Sequence, residues 1–180
     1  MPKPVWRRLV VPCLASLEDL ADALLVAFDW HRSHLSAFWI ERPWRGDAYA
    51  PRLQVEMLDG GDDQPADTVT ACEFLKQAGD TIFWIYDFGD DWTHRIKVEA
   101  LVADTEARVV CLAGTNAAPP EDCGGAAGFD HLLRVLSDPT HAEHAEMLEW
   151  LGGPFDAAKF DATETDRALA VVPVRGARQP

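Results

Sequence analysis

Apolar positions recur along the chain with two spacings, alternate residues in some stretches and every third or fourth in others, and the change from one to the other marks the elements. Residues 5–11 read as a strand. Ser16 and Asp19 form the reciprocal capping pattern in which hydroxyl and acid take up exposed N–H groups, so LEDLADALLVAFDW is expected as a helix. Leu17, Leu20, Leu24 and Phe28 share its apolar stripe. Residues 35–41 and 52–57 read as strands on either side of a Pro- and Gly-containing loop at 42–51. DGGDDQPAD at 59–67 is a polar loop, after which Thr70 and Glu73 repeat the capping pattern and open a short helix ending at Gly79.

TIFWIYDF and WTHRIKVEAL flank Gly89-Asp90-Asp91, the pattern of a β-hairpin. A two- or four-residue loop would set Asp87 opposite His94, Ile85 opposite Ile96 and Phe83 opposite Val98, with Tyr86–Arg95, Trp84–Lys97 and Ile82–Glu99 on the other face. Residues 108–113 read as a further strand. PPEDCGGAAGF follows, then a helix FDHLLRVLSD that stops at Asp138-Pro139. Thr140 with Glu143 is expected to cap HAEHAEMLEWL, which Gly152-Gly153 ends, and Thr163 with Asp166 to cap a last turn. The sum is an α+β fold: a mixed, mostly antiparallel sheet of about five strands with a β-α-β-β start, helices packed on it, and a helical C-terminal part. One domain is expected over 4–161, with a short helical turn and a frayed tail over 162–180.

Composition narrows the function classes. With 180 residues, 48% hydrophobic and 26% charged, the chain has the proportions of a single folded domain. Its start, MPKPVWRRLVVPC, lacks the apolar core of an export signal, and no apolar run is long enough to cross a membrane, so a cytoplasmic protein is expected. Cys13, Cys72, Cys111 and Cys123 are widely spaced and form no CxxC pair, which suggests four reduced thiols. Thirty acidic against sixteen basic residues give a net charge of −14, which disfavours direct nucleic-acid binding. The basic residues gather near the ends (Lys3, Arg7, Arg8; Arg167, Arg175, Arg178), as solvated faces or tails do.

Candidate chemistry concentrates in two acidic turns. In the hairpin, Asp87 facing His94 makes a cross-strand ion pair or an oriented base, while Asp90 and Asp91 are turn formers that with Asp87 make a carboxylate cluster suited to a hard cation. In the second turn Pro119 and Pro120 fix the backbone ahead of Glu121 and Asp122, whose charges favour a helix start. Gly124, Gly125 and Gly128 allow this turn to pack closely against the hairpin. A phosphate cradle is a poor alternative, because the GxxxxGK[ST] lysine is missing and the acids would repel the ligand. Cys123 feels a helix start and two acids in opposition. The pairs His31/His34 and His141/His144 lack the HExxH spacing.

The segments IYDFGDDWTHRIKVE, PPEDCGGAAGF and FDAAKFD, with VWRRLVVP, WHRSHLSAF and EWLGG, give the chain a specific resemblance to the plasmid pRiA4b ORF-3-like family over nearly all of residues 4–161. The resemblance implies an α+β fold and a mobile-element context, since some relatives accompany plasmids or insertion sequences, and it brings no catalytic assignment. Many relatives carry a cysteine before the paired prolines where this chain has Ala118, which argues against a thiol metal site built with Cys111.

The leading expectation is a non-catalytic acidic binding domain for a protein partner, with Asp87, Asp90, Asp91, Trp92, His94, Arg95, Glu121 and Asp122 as surface candidates. No cofactor, metal ion or catalytic residue is assigned. A metal-assisted hydrolase acting on nucleotides or nucleic acid, with Asp87, His94, Glu121 and Asp122 in one cleft, is the first alternative. An acidic decoy that imitates nucleic acid is the second.

Overall fold

The computed structural model describes residues 4–51, 54–55, 63–103, 107–176 and 178. Its elements are β1 (Trp6–Val10), α1 (Leu17–Ala27), β2 (Ser36–Trp39), β3 (Ala48–Ala50), β4 (Gln64–Pro65), β5 (Thr81–Tyr86), β6 (Trp92–Lys97), β7 (Val110–Thr115), α2 (Gly125–Ser137), α3 (His144–Trp150) and α4 (Ala162–Leu169). The expected α+β class is thus found, divided between two sheets. One has five strands in the order β4-β3-β2-β5-β6, antiparallel except for β3–β4, and the other pairs β1 with β7. The strand expected at 52–57 lies mostly outside the described residues, and the sheet instead takes Ala48–Ala50 from the expected loop.

Helix α1 is the centre of the packing. Its cap is the one the sequence indicates, with the Ser16 hydroxyl accepting from Asp19 N–H and Asp19 accepting from Ser16 N–H. Leu17, Leu20, Leu24 and Phe28 are buried against Phe38, Ile82, Trp84 and Tyr86 of the larger sheet. Each such fully buried side chain contributes roughly 1.5–3 kcal/mol. Ala23, elsewhere on α1, packs with Val109, Cys111 and Leu169, so α4 and the smaller sheet close over it. The far face of the larger sheet carries Ala37, Trp39, Ala48, Ala50 and Ile85.

Several expectations are corrected. Cys13 and Cys72 are joined in a disulfide and are not free thiols; Ala71 N–H to Ala15 C=O and Leu17 N–H to Val69 C=O bring the two distant segments side by side. Thr70 and Glu73 do form a capping box, but over a single 3₁₀ turn, Ala71–Glu73. α2 starts at Gly125, one turn before the expected Phe129. Thr140 bonds to Asp138 instead of capping α3, and α4 is capped by Asp161.

Some of the terminal basic residues are tied into the fold. Arg7 donates to the carbonyls of Ala27, Thr115 and Asn116 and lies over the Phe28 and Phe160 rings; burial lowers its pKa to about 10. Within the segment expected to fray, Arg175 and Gly176 donate N–H groups to Asp19, and Arg178 reaches Asp67.

Candidate functional site

The hairpin register decides what the site contains. Trp84 stands opposite His94, Ile82 opposite Ile96 and Tyr86 opposite Trp92, because the loop has five residues, Asp87 to Asp91. Relative to expectation the pairing is displaced by three positions, an odd slip that turns β6 over relative to β5. His94 therefore faces the core and not Asp87. Its ring packs among Phe28, Trp30 and Trp84, its Nδ1 lies 2.9 Å from the Trp92 carbonyl, and burial lowers its pKa to about 4. Trp92 packs against the same cluster, and Arg95 is exposed on the opposite face of the sheet, opposite Phe83. These three candidates do not join the acidic residues.

The five acids do converge. Asp87 and Asp91 bracket the loop in left-handed backbone that Asp tolerates. Asp87 Oδ1 accepts the N–H groups of Gly89 (2.9 Å) and Asp90 (3.3 Å), which folds the loop on itself. Asp90 reaches across and accepts Gly124 N–H at 3.1 Å. Gly125 (φ 65°) lies so close that a Cβ there would come within 2.6 Å of the Asp90 carbonyl oxygen. The Gly-rich turn thus packs on the hairpin.

Two more ties position the second turn. The Trp30 indole donates to Pro119 C=O at 2.8 Å, and Glu121 accepts His31 N–H at 3.0 Å. The Tyr86 hydroxyl lies between Glu121 and the His31 carbonyl; burial and then the Glu121 contact raise its pKa, keeping it protonated. Glu121 is consequently a clamp between three segments, not an open carboxylate.

Asp122 is the open one, with 71% of its side chain exposed. His34, which sequence reasoning left aside, lies between the turns. Its Nδ1 is 3.5 Å from Asp87 Oδ2 and its Nε2 3.4 Å from Asp122 Oδ1, and the ring meets Tyr86 edge-on. The other omission is Trp44, 49% exposed, whose indole N–H points at Asp91 Oδ1 (3.4 Å) and whose ring packs on Phe88 and Trp39. The sequence signals were an aromatic in a Gly-containing loop and a histidine just past a helix. Cys123, beside these acids, has its pKa pushed up to about 12 by burial and then by Asp90, so it stays a thiol. Among the described residues no helix is long and apolar enough to cross a membrane.

Fold and site together define an α+β domain in which two acidic turns are locked into one face. The chain belongs to the plasmid pRiA4b ORF-3-like family, whose model matches residues 1–164. It is similar to the uncharacterized protein y4hQ of Sinorhizobium fredii, 34% identical over 186 residues that cover 97% of this chain and 88% of that protein. Its fold is similar to the crystal structure of MM3350, a protein of unknown function from Methanosarcina mazei Go1. There the TM-score is 0.73 and the identity 30%, over 89% of this chain and 88% of the other.

Proposed function

We propose that this domain binds a basic segment of a protein partner without catalysing a reaction, through the face made by its joined acidic turns and Trp44. The observation that carries the reading is the hydrogen bond from Gly124 to Asp90, which unites the two turns, so that Asp91 and Asp122 project from one rigid base. A Lys or Arg stem would lie along the exposed Trp44 ring while its charge meets Asp91, a pairing of about 0.5–2 kcal/mol per contact.

Fluorescence anisotropy with an array of Lys/Arg-rich peptides and their Gln-substituted counterparts tests this. Binding is expected only to the basic set, weakening steeply with salt and falling at least about tenfold in Trp44→Ala and Asp91→Asn. Equal binding of the neutral peptides, or none by any basic peptide, would end the proposal.

The hydrolase alternative keeps one support, the nearness of Asp87 and Asp122, with His34 in the place expected for His94. The cleft of about 520 Å³ lined by Glu18, Asp22, Arg32, Asp67 and Arg175 is made of other side chains, so the binding reading is preferred.

A further inference from the structure

We propose that His34, Asp87 and Asp122 are the ligands of one divalent transition-metal ion. Each offers a donor atom, and the three atoms lie within 4.8 Å of one another. They come from three separate segments: the exit of α1, the hairpin loop and the turn after the paired prolines.

The donors are prepared for this. Asp87 spends Oδ1 on the loop N–H groups, which fixes the carboxylate and leaves Oδ2 turned to His34. Tyr86 sets the plane of the imidazole. His34 Nε2 is shut off from solvent and, although 3.4 Å from Asp122 Oδ1, makes no hydrogen bond, so its lone pair is open to a metal–nitrogen bond. Among the described residues no Lys or Arg pairs with Asp87, Asp90, Asp91, Glu121 or Asp122, so the negative charge here awaits a cation.

One imidazole with two carboxylates suits Zn²⁺ or Mn²⁺, whereas Ca²⁺ prefers an all-oxygen shell of six to eight ligands. Three protein ligands also leave at least one coordination position for water or a partner's donor group. The site does not rest on the basic-partner reading, because its ligand is the ion alone and no peptide enters the experiment.

The test is calorimetric titration of ZnCl₂, MnCl₂ and CaCl₂ into the full, disulfide-intact chain after removal of metals with a chelator. One equivalent of Zn²⁺ or Mn²⁺ is expected to bind, with affinity reduced at least about tenfold in His34→Ala and in Asp122→Asn and with Ca²⁺ much weaker. NMR of the unmodified protein supplies a reading independent of the variants, and the His34 ring nitrogen resonances are expected to shift on Zn²⁺ addition. No binding of either ion up to about 1 mM, a regime too weak for a built site, overturns the proposal. So does binding that leaves the His34 ring resonances unchanged.

Discussion

Two acidic clusters in this protein are neutralised in opposite ways. Around the start of α1, Glu18, Asp19, Asp22 and Asp67 are matched by Arg32, Arg175 and Arg178, and Asp19, 1% exposed, also accepts three backbone N–H groups. At the hairpin and the Pro-Pro turn, Asp87, Asp90, Asp91, Glu121 and Asp122 have backbone N–H, indole and imidazole neighbours and, among the described residues, no Arg or Lys. Acids of the first kind hold the chain together, and their removal should be felt as lost stability. Acids of the second kind that face solvent contribute little to the fold and are free to meet a ligand.

The largest test of that contrast falls on the paired region. The Cys13–Cys72 disulfide ties the loop before α1 to the 3₁₀ turn and closes a loop with a sequence separation of 59. Chain-entropy reasoning gives such a cross-link about 4 kcal/mol. The Cys13→Ser/Cys72→Ser protein, or the wild type under dithiothreitol, should lose about that much in urea denaturation. A loss near zero would show that packing, backbone bonds and ion pairs hold the α1 region without help from the cross-link. Next in size is Asp19→Asn, which sets an NH₂ group against the N–H donors of Ser16, Arg175 or Gly176. A cost of about 3 kcal/mol is expected from a buried group losing its partners, again by denaturation.

The paired cluster was half legible in the sequence, and the reason is local. The Ser16–Asp19 box and the Leu17/Leu20/Leu24/Phe28 stripe depend on spacings of three and four, which any reader of the chain can see. That Asp19 also anchors Arg175 and Gly176 depends on α4 returning across α1, which no local pattern encodes. The same division holds at the other cluster. Both strands of the hairpin and the meeting of the acidic turns were readable from turn residues, whereas the register was not. Ile82, Trp84 and Tyr86 on one face and Phe83 and Ile85 on the other are all apolar, so alternation did not choose between faces, and loop length decided. His34 was passed over because its partners belong to distant turns and become neighbours only when β2 pairs with β5.

Acid should weaken the junction between the two regions. His94 lies in the aromatic wedge of Phe28, Trp30 and Trp84, and Trp30 holds the Pro-Pro turn through Pro119. Its folded pKa of about 4 is below the unfolded value of 6.5, so between these limits the unfolded chain binds more protons. Stability is undiminished by this group above pH 6.5 and falls with decreasing pH, levelling off below about pH 4 after a total loss of at most about 3 kcal/mol. Denaturation curves at a series of pH values check this, and His94→Gln should flatten the slope in that window. A slope unchanged by the substitution would assign the acid sensitivity to carboxylates.

The smallest effect on stability is the most informative about function. Asp122→Asn keeps the shape of a side chain that is 71% exposed, whose neighbour is His34 and whose surroundings include Asp87 and Asp90. Removing one of several like charges from a surface without Arg or Lys should leave the fold within about 0.5 kcal/mol of wild type, on the side of greater stability. The same substitution one cluster away, at Asp19, is expected to cost several times more. If Asp122→Asn were to cost as much as Asp19→Asn in the same denaturant series, the carboxylate at Asp122 would be part of what holds the turns together. The acidic face would then be a structural joint, and the distinction between acids that build this protein and acids proposed to meet a ligand would disappear.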